Sequence, residues 1–252
     1  MLKSVLFSLL LVCTPLVVFA QTDEVTTSEV VAEFENTDLE EQMATADVAF
    51  LEKLKNEGFD FNQKDINGNA PLYYILYRNP DLEVAKKAIE FGADVNMPAK
   101  NGMIPLNIAT SKANELQLQI MMMKTMGLNT EEASVQEELK KNLFLEMTRV
   151  INMTKLLIEN GADVNLVSSL GTPLMNAVTN VWNLDIVKML IDAKADLNAT
   201  DKNGRTALFY AFASSNDEVV ELLINSGADV SVKDNEGKTY LEMQKLSVAP
   251  AI

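Results

Sequence analysis

The 252-residue chain contains no histidine and a single cysteine, Cys13. It therefore lacks the side chain most often used to transfer protons near neutral pH, which is also the commonest metal ligand. Removal of Cys13 with the predicted signal peptide described below would exclude thiol nucleophiles and zinc sites of the Cys/His type. The 10 glycines form no loop of nucleotide-binding spacing. We expect no catalytic residues, no metal site and no cofactor.

Carboxylates are the remaining catalytic candidates, and several occur as adjacent pairs. These pairs fall at predicted helix starts or exposed turns, where negative charge complements the helix dipole. They are Glu131-Glu132, Glu137-Glu138 and Asp217-Glu218. The sequence predicts a non-enzymatic protein, and an enzyme using Glu137 and Glu138 is the alternative.

Positive charge is also scarce. The chain has 36 acidic against 21 basic side chains, for a formal net charge of −15. Nine of the acids and no Lys or Arg lie in residues 21 to 50. Phosphate contacts depend on clustered Lys and Arg, so we expect no nucleic-acid partner. An acidic surface would instead attract a basic protein.

The amino terminus has the pattern of a secretory signal peptide. Lys3 is followed by an apolar stretch over residues 5–18, and Val18-Phe19-Ala20 supplies small residues at positions −3 and −1 before Gln21. An uncleaved anchor would need about 20 apolar residues, and this stretch is shorter. The pattern predicts cleavage after Ala20, no membrane span in the mature chain and a periplasmic location. Secretion is the alternative.

One five-residue phrase recurs along the chain at a nearly constant interval. The first residue of each copy, including the copies that match poorly, lies at position 58, 92, 127, 161, 194 or 227, so successive copies are 33 to 35 residues apart. The clearest copies are Gly92-Ala93-Asp94-Val95-Asn96, Gly161-Ala162-Asp163-Val164-Asn165, Lys194-Ala195-Asp196-Leu197-Asn198 and Gly227-Ala228-Asp229-Val230-Ser231. Self-similarity at a fixed period indicates stacked structural units.

A second phrase follows most copies of the first by about ten residues. Its examples are Asn67-Gly68-Asn69-Ala70-Pro71-Leu72, Asn101-Gly102-Met103-Ile104-Pro105-Leu106, Leu170-Gly171-Thr172-Pro173-Leu174, Asn203-Gly204-Arg205-Thr206-Ala207-Leu208 and Glu236-Gly237-Lys238-Thr239-Tyr240-Leu241. With both phrases in phase, the chain resembles an ankyrin-repeat protein over residues 37 to 246. The resemblance implies an all-α repeat solenoid of helix-turn-helix units with short β-turn fingers, forming one elongated domain.

The spacing also has a direct physical explanation. Asn-Gly accepts the positive φ of a tight turn, and proline suits the first turn of the helix that follows. Glycine after the second helix fits a left-handed C-terminal residue. Lys194 occupies that glycine position, so Lys194→Gly is expected to stabilise the protein.

Residues 111–160 depart from the repeat pattern because the expected turn near residues 137–140 is missing. Apolar residues recur there at helical spacing, which predicts one unusually long helix beginning near Glu131. Either the unit has lost its finger and keeps a place in the stack, or helices extended from a single unit form a protruding hairpin. We favour the first interpretation.

These patterns divide the chain into a signal peptide, an acidic flexible leader, a repeat domain and a tail. The boundaries are 1–20 for the signal peptide, 21–36 for the leader, 37–246 for the domain and 247–252 for the tail, with units at 37–64, 65–98, 99–130, 131–167 (degenerate), 168–200 and 201–233 and a cap at 234–246.

In ankyrin-like stacks, finger tips and first helices form a concave protein-binding face, so the resemblance implies a monomeric protein-binding module. The finger-tip candidates are Ile66, Asn67, Lys100, Asn101, Ser169, Leu170, Lys202 and Asn203. The first-helix candidates are Tyr74, Tyr77, Arg78, Ile108, Asn176, Thr179 and Tyr210. Trp182 either packs against its loop or binds. The expected role is to hold an exported partner, as an inhibitor or immunity protein; the alternative is a secreted effector that binds host proteins.

Overall fold

The computed structural model describes residues 39–112, 133–179, 183–240 and 242. The predicted signal peptide, the acidic leader and the tail lie outside these residues. Ten helices occur within the described ranges, with only two isolated β-bridges, Ser168 to Gly171 and Lys233 to Thr239. In chain order the helices are α1 Leu39–Thr45, α2 Val48–Asn56, α3 Pro71–Arg78, α4 Leu82–Glu90, α5 105–112, α6 Ala133–Glu159, α7 Pro173–Ala177, α8 Leu184–Asp192, α9 Ala207–Ala213 and α10 Asp217–Asn225.

The chain forms two compact units, one ending at Asp94 and the other beginning at Val95. In the first, α1 packs on α3, α2 packs on α4, and α3 and α4 pair with each other. The side chains of Met43, Leu51 and Leu76 are fully buried there. Burying such side chains stabilises the packed state by about 1.5–3 kcal/mol each. This unit is therefore two stacked helical hairpins joined by an apolar core.

The unit that begins at Val95 repeats the same arrangement. Helix α7 packs on α8 and α9, α9 packs on α10, and α6 packs on α8. Leu157, Leu190 and Leu223 occupy equivalent positions in α6, α8 and α10, and each is 0 % exposed. Each helical pair covers the apolar face of its neighbour, as expected for an all-α repeat solenoid.

The predicted signals at the helix ends are confirmed. Pro71 and Pro173 occupy the first positions of α3 and α7, where no helical hydrogen bond needs their missing N–H. After α8, Lys194 adopts φ 69°. Its amide donates to the Ile191 carbonyl (2.9 Å) and the Ala195 amide donates to the Leu190 carbonyl (2.9 Å), which is a Schellman motif.

An asparagine ladder joins the turns of successive repeats. Asn165 Nδ2 donates to the Lys194 carbonyl (3.3 Å), and the Asp196 amide donates to Asn165 Oδ1 (2.7 Å). Asn198 accepts from the Asp229 amide in the next turn (2.8 Å). The asparagine that ends the repeated phrase therefore holds the following turn in place. The sequence pattern did not predict this role.

The predicted long helix is confirmed, since α6 runs for 27 residues from Ala133 to Glu159. Its C-terminal half contributes buried Val150, Met153 and Leu157 to the core, whereas Phe144 is 71 % exposed. Only the C-terminal part of α6 therefore occupies the usual place of a second helix.

Contacts on either side of α6 argue against the interpretation favoured from the sequence, in which residues 99–130 and 131–167 form two stacked units, and support a single unit. The Asp163 amide donates to Asn96 Oδ1 (2.7 Å), and the Ser169 amide donates to the Gly102 carbonyl (3.3 Å). The finger at 99–103 thus adjoins the finger at 168–171. We infer that α5 and α6 are the two helices of one repeat, with an insertion between them.

Candidate protein-binding surface

The fingers are tight turns whose geometry depends on glycine. Gly102 and Gly204 have φ 79° and 75°, a conformation that residues with a Cβ rarely adopt. In the 201–205 finger, the Asp201 amide donates to the Arg205 carbonyl (3.0 Å) and the Gly204 amide donates to the Asp201 carbonyl (2.9 Å). The predicted Asn-Gly turns are confirmed in this geometry.

Neighbouring fingers of the unit that begins at Val95 are hydrogen-bonded to each other. The Asn235 amide donates to the Asn203 carbonyl (2.9 Å), and Asn235 Nδ2 donates to the Lys202 carbonyl (2.9 Å). A Cβ placed on Gly204 would lie 2.7 Å from Asn235 Oδ1, too close for an unshifted neighbour. The finger glycine therefore permits both the turn and the close approach of the next finger.

Side chains at the finger tips point to solvent. Ile66 is 98 % exposed and Leu170 is 47 % exposed. The other predicted tip residues are also exposed: Asn67, Lys100, Asn101, Ser169, Lys202 and Asn203. The eight finger-tip candidates are thus accessible to a partner.

The first-helix candidates are less accessible than expected. Tyr74 and Ile108 are 2 % and 1 % exposed, so both side chains are buried within the fold. These two side chains stabilise their repeats and cannot form part of a contact surface. Tyr77 is 40 % exposed and stacks on Tyr73, with ring centroids 5.9 Å apart. Arg78 is exposed and forms an ion pair with Glu40.

The other first-helix candidates are half-buried and hydrogen-bonded within the fold. Asn176 Nδ2 donates to Thr110 Oγ1 (2.8 Å) and Ser111 Oγ (2.9 Å). Thr179 Oγ1 donates to the Asn176 carbonyl (2.8 Å). Asn176 thus connects two first helices, α5 and α7.

A tyrosine–aspartate pair braces two of the fingers. The Tyr210 hydroxyl donates to Asp201 Oδ2 (2.6 Å), and the Tyr74 hydroxyl donates to Asp65 Oδ2 (2.8 Å). Burial and the neighbouring carboxylate raise the pKa of both tyrosines. Burial alone would raise the pKa of Asp201, but hydrogen bonds from Tyr210 and from nearby backbone amides outweigh it and lower that pKa. The spacing of nine residues in both pairs is the sequence signal for this brace.

The buried side-chain amide of Asn107 on α5 has no hydrogen-bond partner in the part of the chain that the structure describes. This residue is 0 % exposed, and both polar atoms of its side chain are unpaired there. Leaving a buried amide unpaired costs about 1–3 kcal/mol.

Trp182 and the acidic pair Glu131-Glu132 lie outside the described residues. Within the described ranges, no group of three or more Asp, Glu, Cys or His side chains is arranged to hold a metal ion. None of the helices described is both long and apolar enough to cross a bilayer.

Comparison with known proteins agrees with this architecture. Residues 147–234 match the family model for ankyrin repeats, in three copies. Residues 147–234 are therefore ankyrin repeats, which indicate a protein–protein interaction module. The matched residues include the buried half of α6, helices α7 to α10 and the fingers at 168–171 and 201–205. No curated protein matches the chain.

Proposed function

We propose that the protein is a non-enzymatic binding module that holds a protein partner on the finger tips of the unit that begins at Val95. The tip surface is formed by Lys100, Asn101, Ser169, Leu170, Lys202 and Asn203. The observation that carries the proposal is that these exposed side chains stand on fingers fixed to their neighbours through the backbone. A rigid surface loses little conformational freedom when a partner binds.

The chemistry of the tip surface suggests the chemistry of its partner. Lys100 and Lys202 are exposed and bring positive charge to an acidic protein. Leu170 supplies exposed apolar area between fingers that carry amide side chains. Directly opposite the tips, a complementary partner would present carboxylate or amide groups around an apolar contact. A basic partner, as expected from net charge alone, would be attracted by acidic surface elsewhere.

The proposed location is the periplasm, with secretion as the alternative. It is supported by Lys3, the apolar stretch at 5–18 and the small residues ending at Ala20. In that compartment the module would act as an inhibitor or immunity protein for an exported partner. Recovery in osmotic-shock fluid, but not in culture supernatant, would support the periplasm.

The tip surface can be tested by photo-cross-linking in cells. A photoreactive residue at Leu170 should form a specific adduct, whereas the same residue at exposed Lys188 on α8 should not. The double variant Lys100→Glu, Lys202→Glu should lose that adduct without a change in melting temperature. Lys188→Glu is the matched charge reversal and should keep it. Equal adducts from both labelled positions would contradict the proposal.

A further inference from the structure

Asn-Gly turns are chemically labile, and three fingers of this protein carry one. The backbone nitrogen of glycine can attack the asparagine Cγ, forming an N–Cγ bond while the Cγ–Nδ2 bond breaks and ammonia leaves. Water then opens the resulting succinimide to aspartate or isoaspartate. Glycine favours ring closure because no side chain hinders the attacking nitrogen. The three fingers carry Asn67-Gly68, Asn101-Gly102 and Asn203-Gly204.

In the folded protein each attacking nitrogen is engaged in its turn. The amides of Gly68, Gly102 and Gly204 donate to carbonyls three residues earlier, at 2.8, 2.9 and 2.9 Å. Attack on Cγ therefore requires local opening of the finger. The rate at each site should follow the ease of that opening.

The finger at 99–103 lacks the brace of the other two. Asp201 accepts hydrogen bonds from the Asn203 and Arg205 amides (2.9 and 2.8 Å) and from the Tyr210 hydroxyl. At the equivalent positions this finger has Ala99 and Ile108. Neither side chain can form the pair.

The finger that contains Asp65 has the same aspartate–tyrosine brace as the finger that contains Asp201. Asp65 accepts from the Asn69 amide (3.0 Å) and from the Tyr74 hydroxyl (2.8 Å). Both braced fingers also bind the leaving amide group. Asn67 Nδ2 lies 3.2 Å from Asp65 Oδ2, and Asn203 Nδ2 lies 3.1 Å from Asp201 Oδ2.

Asn101 is held only through its oxygen. Its Oδ1 accepts from the Met103 amide (3.0 Å), and its Nδ2 has no hydrogen-bond partner in the described part of the chain. The fourth Asn-Gly pair follows α6, where Asn160 Nδ2 donates to the Leu156 carbonyl (2.8 Å). Asn101 is therefore the least restrained asparagine of the four.

We propose that Asn101 is the preferred site of spontaneous deamidation in this protein, because its finger lacks the aspartate–tyrosine brace. Conversion to isoaspartate inserts a methylene group into the main chain beside the Gly102 carbonyl. That carbonyl accepts the hydrogen bond from the Ser169 amide in the neighbouring finger. Modification would therefore add a negative charge to the finger tip and loosen the contact between the two fingers.

The test is to age the full folded chain in mildly alkaline buffer and follow each Asn-Gly site by peptide mass mapping after chymotryptic digestion. Asn101 should convert about tenfold faster than Asn67 or Asn203, the difference expected from one or two hydrogen bonds in the opening equilibrium. In guanidinium chloride the sites should convert at similar rates. A native chain in which Asn67 or Asn203 converts as fast as Asn101 would overturn the proposal.

Reciprocal variants test the brace itself. Ala99→Asp should slow conversion at Asn101, and Asp201→Ala should accelerate it about tenfold at Asn203. Within Asp201→Ala, the rate at Asn67 serves as an internal control, since general loosening of the fold would accelerate that site too. Unchanged rates at Asn101 in Ala99→Asp and at Asn203 in a folded Asp201→Ala would refute the role of the carboxylate.

Discussion

Lys194→Gly should stabilise the protein, because Lys194 holds a conformation that favours glycine. The residue after the second helix is left-handed in every described repeat, and elsewhere it is a glycine. The φ values are 82° at Gly58, 101° at Gly92, 86° at Gly161, 69° at Lys194 and 101° at Gly227. The Lys194 side chain is exposed, and within the described residues only its backbone makes hydrogen bonds. Replacement by glycine therefore removes none of these hydrogen bonds.

The expected change in the free energy of unfolding for Lys194→Gly is the difference between two opposing effects. A left-handed conformation costs a residue with a Cβ about 1–2 kcal/mol. Glycine gives the unfolded chain more freedom, which lowers stability by about 0.4–1 kcal/mol. The free energy of unfolding should therefore rise by about 0.5–1 kcal/mol. In a domain of this size, that corresponds to an increase in melting temperature of about 1–4 °C.

Thermal unfolding followed by circular dichroism measures this shift, and two variants isolate its cause. Lys194→Ala removes the charge but keeps the Cβ, so its stability should stay within about 0.5 kcal/mol of the parent. Gly161→Ala should destabilise by about 1 kcal/mol through conformation alone, since no atom lies within 4 Å of the added Cβ. A lower or unchanged melting temperature for Lys194→Gly would refute the argument.

Three further predictions concern the core, the brace and the ladder. Leu223→Ala should destabilise by about 2–5 kcal/mol in urea unfolding, whereas half-exposed Ile224→Ala should change stability by about 0.5 kcal/mol or less; equal effects would contradict the packing. Tyr210→Phe should destabilise by about 1 kcal/mol at neutral pH. The pKa of Asp201 is lowered in the folded protein, so ionised Asp201 stabilises the fold fully above the ordinary pKa of 3.8. This stabilisation is lost as pH falls through the folded pKa. A difference in stability between parent and variant that persists in acid would therefore argue against the pair. Asn165→Ala should cost about 1–2 kcal/mol, because it removes both hydrogen bonds of one ladder step; unchanged urea unfolding would exclude a structural role.

The repeat architecture could be predicted because each signal is local. Turn glycines, helix-starting prolines and left-handed helix ends depend on a few neighbouring residues, and their period repeats the same geometry. The conformation of Lys194, which replaces the usual glycine, could also be predicted, since it is left-handed as its place in the phrase requires. The exposure of the finger tips could be predicted as well, because it also depends on the local turn.

The first helices were harder to interpret because burial depends on packing between repeats. Tyr74 resembles an interface tyrosine in sequence, yet it is buried and its hydroxyl donates to Asp65. The ladder was missed for a related reason. The asparagine of the repeated phrase looks like a turn residue, but its hydrogen bonds reach a turn about one period away.

The step of 69 residues between positions 92 and 161 shows that the repeat period alone cannot determine the number of repeats. Two periods and one period with an insertion of similar length give the same spacing, so periodicity cannot choose between them. A second helix contacts its neighbours through only a few turns, and an insertion before those turns leaves the stacked surfaces unchanged. The hydrogen bond between Asn96 and Asp163 distinguishes the two cases, because it leaves no room for another turn between them. Contact across the insertion, and not the count of residues within it, therefore defines the repeat.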